Sequence, residues 1–183
     1  MSGITLFFSP EDDARFRSFC AGFCSMLPPN DKKPPRVSLF AKLSSDHDVC
    51  HRKLLRNVSQ KQSPFRVEVR RAFTVETSAE HSTVSLGLWS PIILSIHEEL
   101  QKHILATDPT FRSQDFIVPR IHIAEHVPHD IALKLKQAFN KYWSKVEEHS
   151  GGMTASGLAL RNYYLTDTRW FPDQKRVSAF DFF

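Results

Sequence analysis

Pro35-Arg36-Val37-Ser38-Leu39-Phe40 is echoed 84 residues later by Pro119-Arg120-Ile121-His122-Ile123-Ala124. In each stretch polar and apolar residues alternate after a Pro-Arg pair, the period-two pattern of a half-buried strand. The same prelude lies upstream of both. Ile4-Thr5-Leu6-Phe7-Phe8-Ser9-Pro10 and Val84-Ser85-Leu86-Gly87-Leu88-Trp89-Ser90-Pro91 are short β-prone runs ended by a Ser-Pro pair, and the two pairs stand 81 residues apart. Serine followed by proline is a helix start: the hydroxyl caps a free backbone N–H, and proline occupies the first position, where its missing donor is not needed. The pattern predicts a strand–helix–strand unit used twice.

Working outward, Glu11, Asp12 and Asp13 follow the first Ser-Pro pair, where acidic residues suit the positive helix end. Phe16, Phe19, Cys20 and Phe23 then recur at helical spacing. The proline-rich stretch 28–35 is a loop. Ser44-Ser45-Asp46 caps a second helix reaching about Val58, and Phe65–Glu76 reads as a long alternating strand. In the second half, Thr83–Trp89 is a strand and Ile92, Ile96, Leu100 and Ile104 mark a helix. A loop containing Pro109 precedes the strand Phe116–Ala124. A helix from about His129 to His149 carries Ile131, Leu135, Phe139 and Trp143 on one face, and Ser150-Gly151-Gly152 ends it. Strands near Ser156–Leu165 and Val177–Phe183 complete the chain. The order βαβαβ then βαβαββ predicts an α+β fold: a duplicated βαβ-type arrangement with antiparallel or mixed sheets around a central cleft and helices outside. The expected domain is single, 1–183, with lobes formed by repeats of about 1–78 and 79–183.

The 183 residues suffice for one well-buried domain or two small lobes sharing a core. Fifteen phenylalanines make aromatic packing the expected core chemistry. A net charge of +4, with acidic and basic residues interspersed, is too small to imply a nucleic-acid partner by itself. Cys20, Cys24 and Cys50 are few and odd in number, which suits reduced thiols in a cytoplasmic setting. No apolar run approaches the roughly 20 residues of a membrane span, and the first residues lack the basic and apolar regions of a secretory signal. Neither a GxGxxG nor a Walker loop occurs, so no nucleotide cofactor is expected on those grounds.

The two Pro-Arg strands, in this element order, resemble the 2H phosphoesterases, the superfamily of RNA 2′-5′ ligase-like proteins and 2′,3′-cyclic phosphodiesterases. The resemblance implies a duplicated two-lobed fold in which each lobe gives the cleft one strand bearing a His-x-Thr/Ser-x motif. It further implies one histidine as general base, the other as general acid, and hydroxyls that hold phosphate. Pro35–Phe40 and Pro119–Ala124 fall where those motifs belong, but Arg36 and Arg120 stand in the histidine positions. Ser38 keeps one hydroxyl and His122 replaces the other. Arginine has a pKa above about 12 and exchanges no protons at neutral pH, so the paired-histidine mechanism is not expected. A literal match at His81-Ser82-Thr83-Val84 lies at the start of the wrong strand and has no partner, which favours a loop-edge histidine.

On a strand, residues i and i+2 share a face. Arg36 and Ser38 therefore project together, as do Arg120 and His122, with Val37, Leu39, Ile121 and Ile123 turned away. Two guanidiniums suit a phosphate or carboxylate held by bidentate bonds, and His122 is the member able to act as acid or base. The alternative is that both arginines form salt bridges across the sheet. Tyr163, with Tyr164, Trp170 and Trp89, could line the site, since aromatics in the family often stack on a bound base; in a strand Tyr163 and Tyr164 face opposite ways. His122, His126 and His129 with Glu125 do not converge at strand spacing, so no metal is expected. His47, Cys50 and His51 fit a solvated helix face. The reading is thus a rebuilt cleft for a small anionic or carbonyl-bearing ligand, with nucleotide or RNA as further candidates. A repurposed cyclase or isomerase and a non-catalytic RNA- or protein-binding module remain the alternatives.

Overall fold

The computed structural model describes residues 1–22, 36–108, 111–112, 117–150, 152–166 and 169–183, with side chains of 143–150, 164–166 and 169–176 left aside. Cys24, the proline-rich loop, Phe23 and Pro109 lie outside the described residues. The elements run β1 (Ser2–Phe8), α1 (Pro10–Ala21), β2 (Arg36–Leu43), α2 (Asp48–Gln60), β3 (Phe65–Glu76), β4 (His81–Trp89), α3 (Pro91–Thr107), β5 (Arg120–Pro128), α4 (His129–Ser150), β6 (Met153–Thr166) and β7 (Arg169–Asp181). A 3-10 turn, Ser45–His47, leads into α2.

The strands form one sheet in the order β2-β1-β6-β3-β4-β5, with β7 also on β6, and every pairing is antiparallel. β3 and β7 share one edge of β6 end to end: Met153 to Ala155 pair with β3, and Gly157 onward with β7. Gly152, at φ +103°, makes this junction possible, because a Cβ there would lie 2.3 Å from the Val67 carbonyl oxygen. Residue 78 falls in the turn of the β3–β4 hairpin, and the C-terminal strands return to β1. The terminal strands of the path, β2 and β5, also approach to within 8 Å between Cα atoms, so the sheet curls back towards itself.

The two Pro-Arg strands sit in matching registers. In β1–β2 the pairs are Ser2 with Leu43, Ile4 with Phe40, Thr5 with Ser38, Leu6 with Val37, and Phe7 with Arg36. In β4–β5 they are Ser82 with Val127, Val84 with Ala124, Ser85 with His122, Leu86 with Ile121, and Gly87 with Arg120. The register irregularities coincide, and so do two left-handed residues, Lys42 at φ 60° and His126 at φ 54°. Each irregularity inserts an extra residue. The exposed pairs Ala41-Lys42 and Glu125-His126 are thereby absorbed, and Leu43 and Val127 return to the core. Simple alternation therefore fails at Phe40 and Ala124, which are buried directly after Leu39 and Ile123.

One face of the sheet is core. Ile4, Leu6, Val84 and Leu86 are completely buried, each contributing about 1.5–3 kcal/mol through apolar area removed from water. α2 packs on β6 and β7, and α4 on β3, β4 and β5. Phe19 of α1 meets Phe139 of α4 edge-on at 4.2 Å. The His97 ring of α3 stacks on Phe40 of β2 at 4.5 Å. An irregularity in β3 between Val69 and Ala72 is secured from α4: Asn140 Oδ1 accepts from the Ala72 amide at 2.7 Å, and its Nδ2 donates to the Ala72 carbonyl at 3.2 Å.

Candidate functional site

The opposite face of the sheet carries the polar half of each Pro-Arg strand. Val37, Leu39, Ile121 and Ile123 are buried in the core, whereas Ser38 and His122 are exposed and Arg36 and Arg120 half-buried. Directly paired residues of antiparallel strands point the same way. Arg36 and Ser38 therefore share their face with Phe7 and Thr5 of β1, and beyond them with Gly157, Ala159 and Arg161 of β6. Arg120 and His122 likewise share theirs with Gly87 and Ser85 of β4. The approach of β2 to β5 brings the two arginine-bearing strands side by side.

No ion pair to a described residue neutralises Arg36 or Arg120. The contrast is with Arg15, Arg17 and Arg70, which are bound to Asp12, Asp13 and Glu68 at 2.6, 2.8 and 3.0 Å. His122 is anchored: its Nδ1 lies 3.2 Å from the hydroxyl of Ser85, a fully buried residue. In matching register, Thr5 stands beside Ser38, and its buried Oγ1 has no hydrogen-bond partner. The face thus offers two guanidiniums, the Ser38 hydroxyl and an imidazole fixed by the buried Ser85 hydroxyl, with the Thr5 hydroxyl buried beside Ser38.

A third arginine joins the first-half strands. Arg161 of β6 pairs with Gly3 of β1, and its buried Nε has no partner. Burial, and next the positive charge of Arg36, hold its guanidinium below the ordinary arginine value, with Tyr163 acting in the opposite sense. Tyr163 is half-buried and its ring lies over Gly3, where a Cβ would stand 3.1 Å from Cε2. A Cβ at residue 3 would crowd that ring and the Phe40 carbonyl oxygen, which stands 3.0 Å from the same position. The side chains of Tyr164 and Trp170 lie outside the described residues, and Trp89 is half exposed.

The remaining histidines are placed elsewhere. His129 is committed to structure: its Nε2 donates to the Ala79 carbonyl at 3.0 Å, and its Nδ1 accepts from Ser82 Oγ at 2.7 Å. His81 opens β4 at the hairpin turn, with Nδ1 3.4 Å from Ser78 Oγ. Among the described residues, no group of three histidine, cysteine, aspartate or glutamate side chains is arranged to hold a metal. The solvated-face reading of α2 requires correction at His51, which is fully buried, because that side of the helix is covered by its packing partners.

Sequence reasoning missed Ser85, Thr5 and Arg161. The first two were within reach, as they sit opposite His122 and Ser38 on the strands preceding the Ser-Pro pairs. Nothing local in the sequence marks Arg161.

The sequence matches no protein-family model and no curated protein. Solved structures match over nearly the whole chain. TT0787 of Thermus thermophilus aligns with 99% of this chain and 97% of its own, at 14% identity and a TM-score of 0.64. A protein described as a phosphoesterase aligns with 98% of this chain and 97% of its own, at 12% identity and a TM-score of 0.56. LigT of E. coli, solved with 3'-AMP, aligns with 98% and 97%, at 14% identity and a TM-score of 0.56. LigT has also been solved with NADP+, phosphate and ATP. The α+β order, the antiparallel sheet and these full-length superpositions together give the chain the fold of the 2H phosphoesterases.

Proposed function

We propose that the open face of the sheet binds a small phosphate-bearing ligand between the two Pro-Arg strands. Arg36 and Arg120 clamp the anion, Ser38 donates a hydrogen bond, and Tyr163 offers a flat flank. One observation carries the reading: two register-equivalent arginines stand on the exposed face with no ion-pair partner among the described residues. Planar guanidinium matches phosphate through paired N–H donors, and two such groups brought together favour an anion between them. The matched registers support an internal duplication, which would place one clamp residue in each half. That LigT is known with phosphate and nucleotides supports phosphate over carboxylate as the recognised group.

The site differs from a paired-histidine phosphodiesterase. Neither arginine can give up a proton near neutral pH. Of these groups His122 is the one that can, so it carries whatever proton transfer the site performs, with Ser85 fixing its ring. Thermal-shift titration with inorganic phosphate, mononucleotides and small carboxylates tests the clamp. Phosphate and nucleotides should raise the melting temperature, and Arg36→Ala and Arg120→Ala should each remove most of that rise. An undiminished response in both variants refutes the clamp. Incubation with 2′,3′-cyclic nucleotides should show no turnover, whereas brisk hydrolysis would refute the loss of the paired-histidine route.

A further inference from the structure

The open face has a polar extension that the two Pro-Arg strands do not explain. Three successive cross-strand rows run over β2, β1 and β6. The first is Arg36, Phe7 and Gly157, the second Ser38, Thr5 and Ala159, and the third places Arg161 beside Gly3. Arginines thus stand at both ends of a floor whose middle is small. The rows of Arg36 and Arg161 are four residues apart along β6, about 13 Å.

Arg161 differs from the other arginines on this face. Its Nε is buried without a hydrogen-bond partner, and among the described residues no carboxylate acts on it. The groups that act on it are the positive charge of Arg36 and the phenol of Tyr163, which is neutral near pH 7. Water solvates an exposed arginine, but a partly desolvated one next to a second cation has neither water nor counter-charge in full measure. By contrast Arg70, on β3 and beside Gly87 of the same face, is neutralised by Glu68 at 3.0 Å. The arrangement around Arg161 is unfavourable in the empty protein and becomes favourable when an anion lies against it.

We infer that Arg161, with the Tyr163 hydroxyl, forms a second anion subsite on this face beside the Arg36–Arg120 clamp, so that the ligand carries two phosphoryl groups rather than one. This rests on the phosphate-binding reading of Arg36 and Arg120. The first phosphoryl group sits between the two Pro-Arg strands, and the second extends along β1 towards Arg161, over Thr5 and Gly3. The free hydroxyl of Thr5 lies on the floor between them. The chemical class is a molecule with linked or closely spaced phosphates, such as a nucleoside diphosphate.

Pyrophosphate and inorganic phosphate are the probes, titrated by calorimetry into the wild-type chain and into Arg161→Met and Arg120→Ala. In the wild type, pyrophosphate should bind at least tenfold more tightly than phosphate. Arg161→Met should abolish that preference and leave phosphate affinity within about threefold, a contact-sized effect. Without ligand, the same variant should melt about 2–4 °C higher, as loss of an uncompensated charge implies. If Arg161→Met keeps the tenfold preference, or melts lower when unliganded, the subsite is refuted. Should the variant not fold, Arg161→Lys keeps the charge but not the planar fork; it should cut the preference at least threefold, and an unchanged preference refutes the subsite. The underlying reading fails separately: phosphate binding indifferent to Arg120→Ala, or no binding of either probe, overturns the clamp itself.

Discussion

His51 shows how burial turns one residue into a pH sensor of stability. It is fully buried on α2, and neither ring nitrogen has a hydrogen-bond partner. Burial is the largest influence and holds the imidazole below its ordinary pKa; Asp48 and Asp108 oppose this, while His47 reinforces it. The unfolded chain, with its pKa near 6.5, therefore binds a proton that the folded chain refuses. Stability is fully present above that value and falls as the pH drops below it. His97, lowered mainly by burial as well, adds the same sign. The melting temperature should consequently decline between pH 7.5 and pH 5, and His51→Leu should decline less steeply, overtaking the wild type at the acid end. Parallel curves for the two proteins would refute this role of His51. The sequence placed His51 on a solvated face because its neighbours on α2 are polar: Asp48, Arg52 and Lys53 flank it. What buries it is contact between α2 and elements distant in sequence, which no local pattern records.

At the scale of elements, the two Ser-Pro helix starts look alike in sequence and differ in energy. Ser9, at φ −56° and ψ 150°, accepts a hydrogen bond from the Asp12 amide at 3.2 Å. Asp12 in turn accepts from the Thr154 amide at 2.6 Å, tying the first turn of α1 to the start of β6. Ser90 is more extended, at φ −162° and ψ 127°, and its buried hydroxyl meets no partner. Ser9→Ala should lower stability by about 1 kcal/mol, whereas Ser90→Ala should stay within about 0.5 kcal/mol or stabilise slightly, since it removes an unsatisfied buried hydroxyl. Denaturant midpoints of the two variants check this, and equal losses would show that the cap at Ser90 forms in solution. The strands repeat the lesson. Alternation correctly put Ser38 and His122 outside and Val37 and Ile121 inside, because those positions precede the irregularities. It could not foresee Phe40 and Ala124, whose burial follows from extra residues that are visible only in the pairing.

On the scale of the whole molecule, the sequence conveyed the element order and the repeated strands but not which strands would share an edge. Arg161 went unnoticed for that reason: it meets Gly3 only because β6 returns, some 150 residues later in the chain, to lie beside β1. The same return decides how the protein folds. β6 has β1 on one edge and β3 and β7 on the other, β4 depends on β3, and α1 docks on α4 through Phe19 and Phe139. The two ends of the chain therefore complete one another's sheet, although the repeats expected from sequence divide near residue 78. A fragment spanning 79–183 would expose the β6 edge that β1 covers and the β4 edge that β3 covers, two long unpaired edges bordered by apolar side chains. It should accordingly fail to fold alone, giving little protected amide signal and a tendency to aggregate. The full chain should unfold in one transition, with fluorescence and circular dichroism changing together. A fragment 79–183 with a cooperative melt of its own, or two separated transitions in the full chain, would show that the halves are independent despite their shared strands.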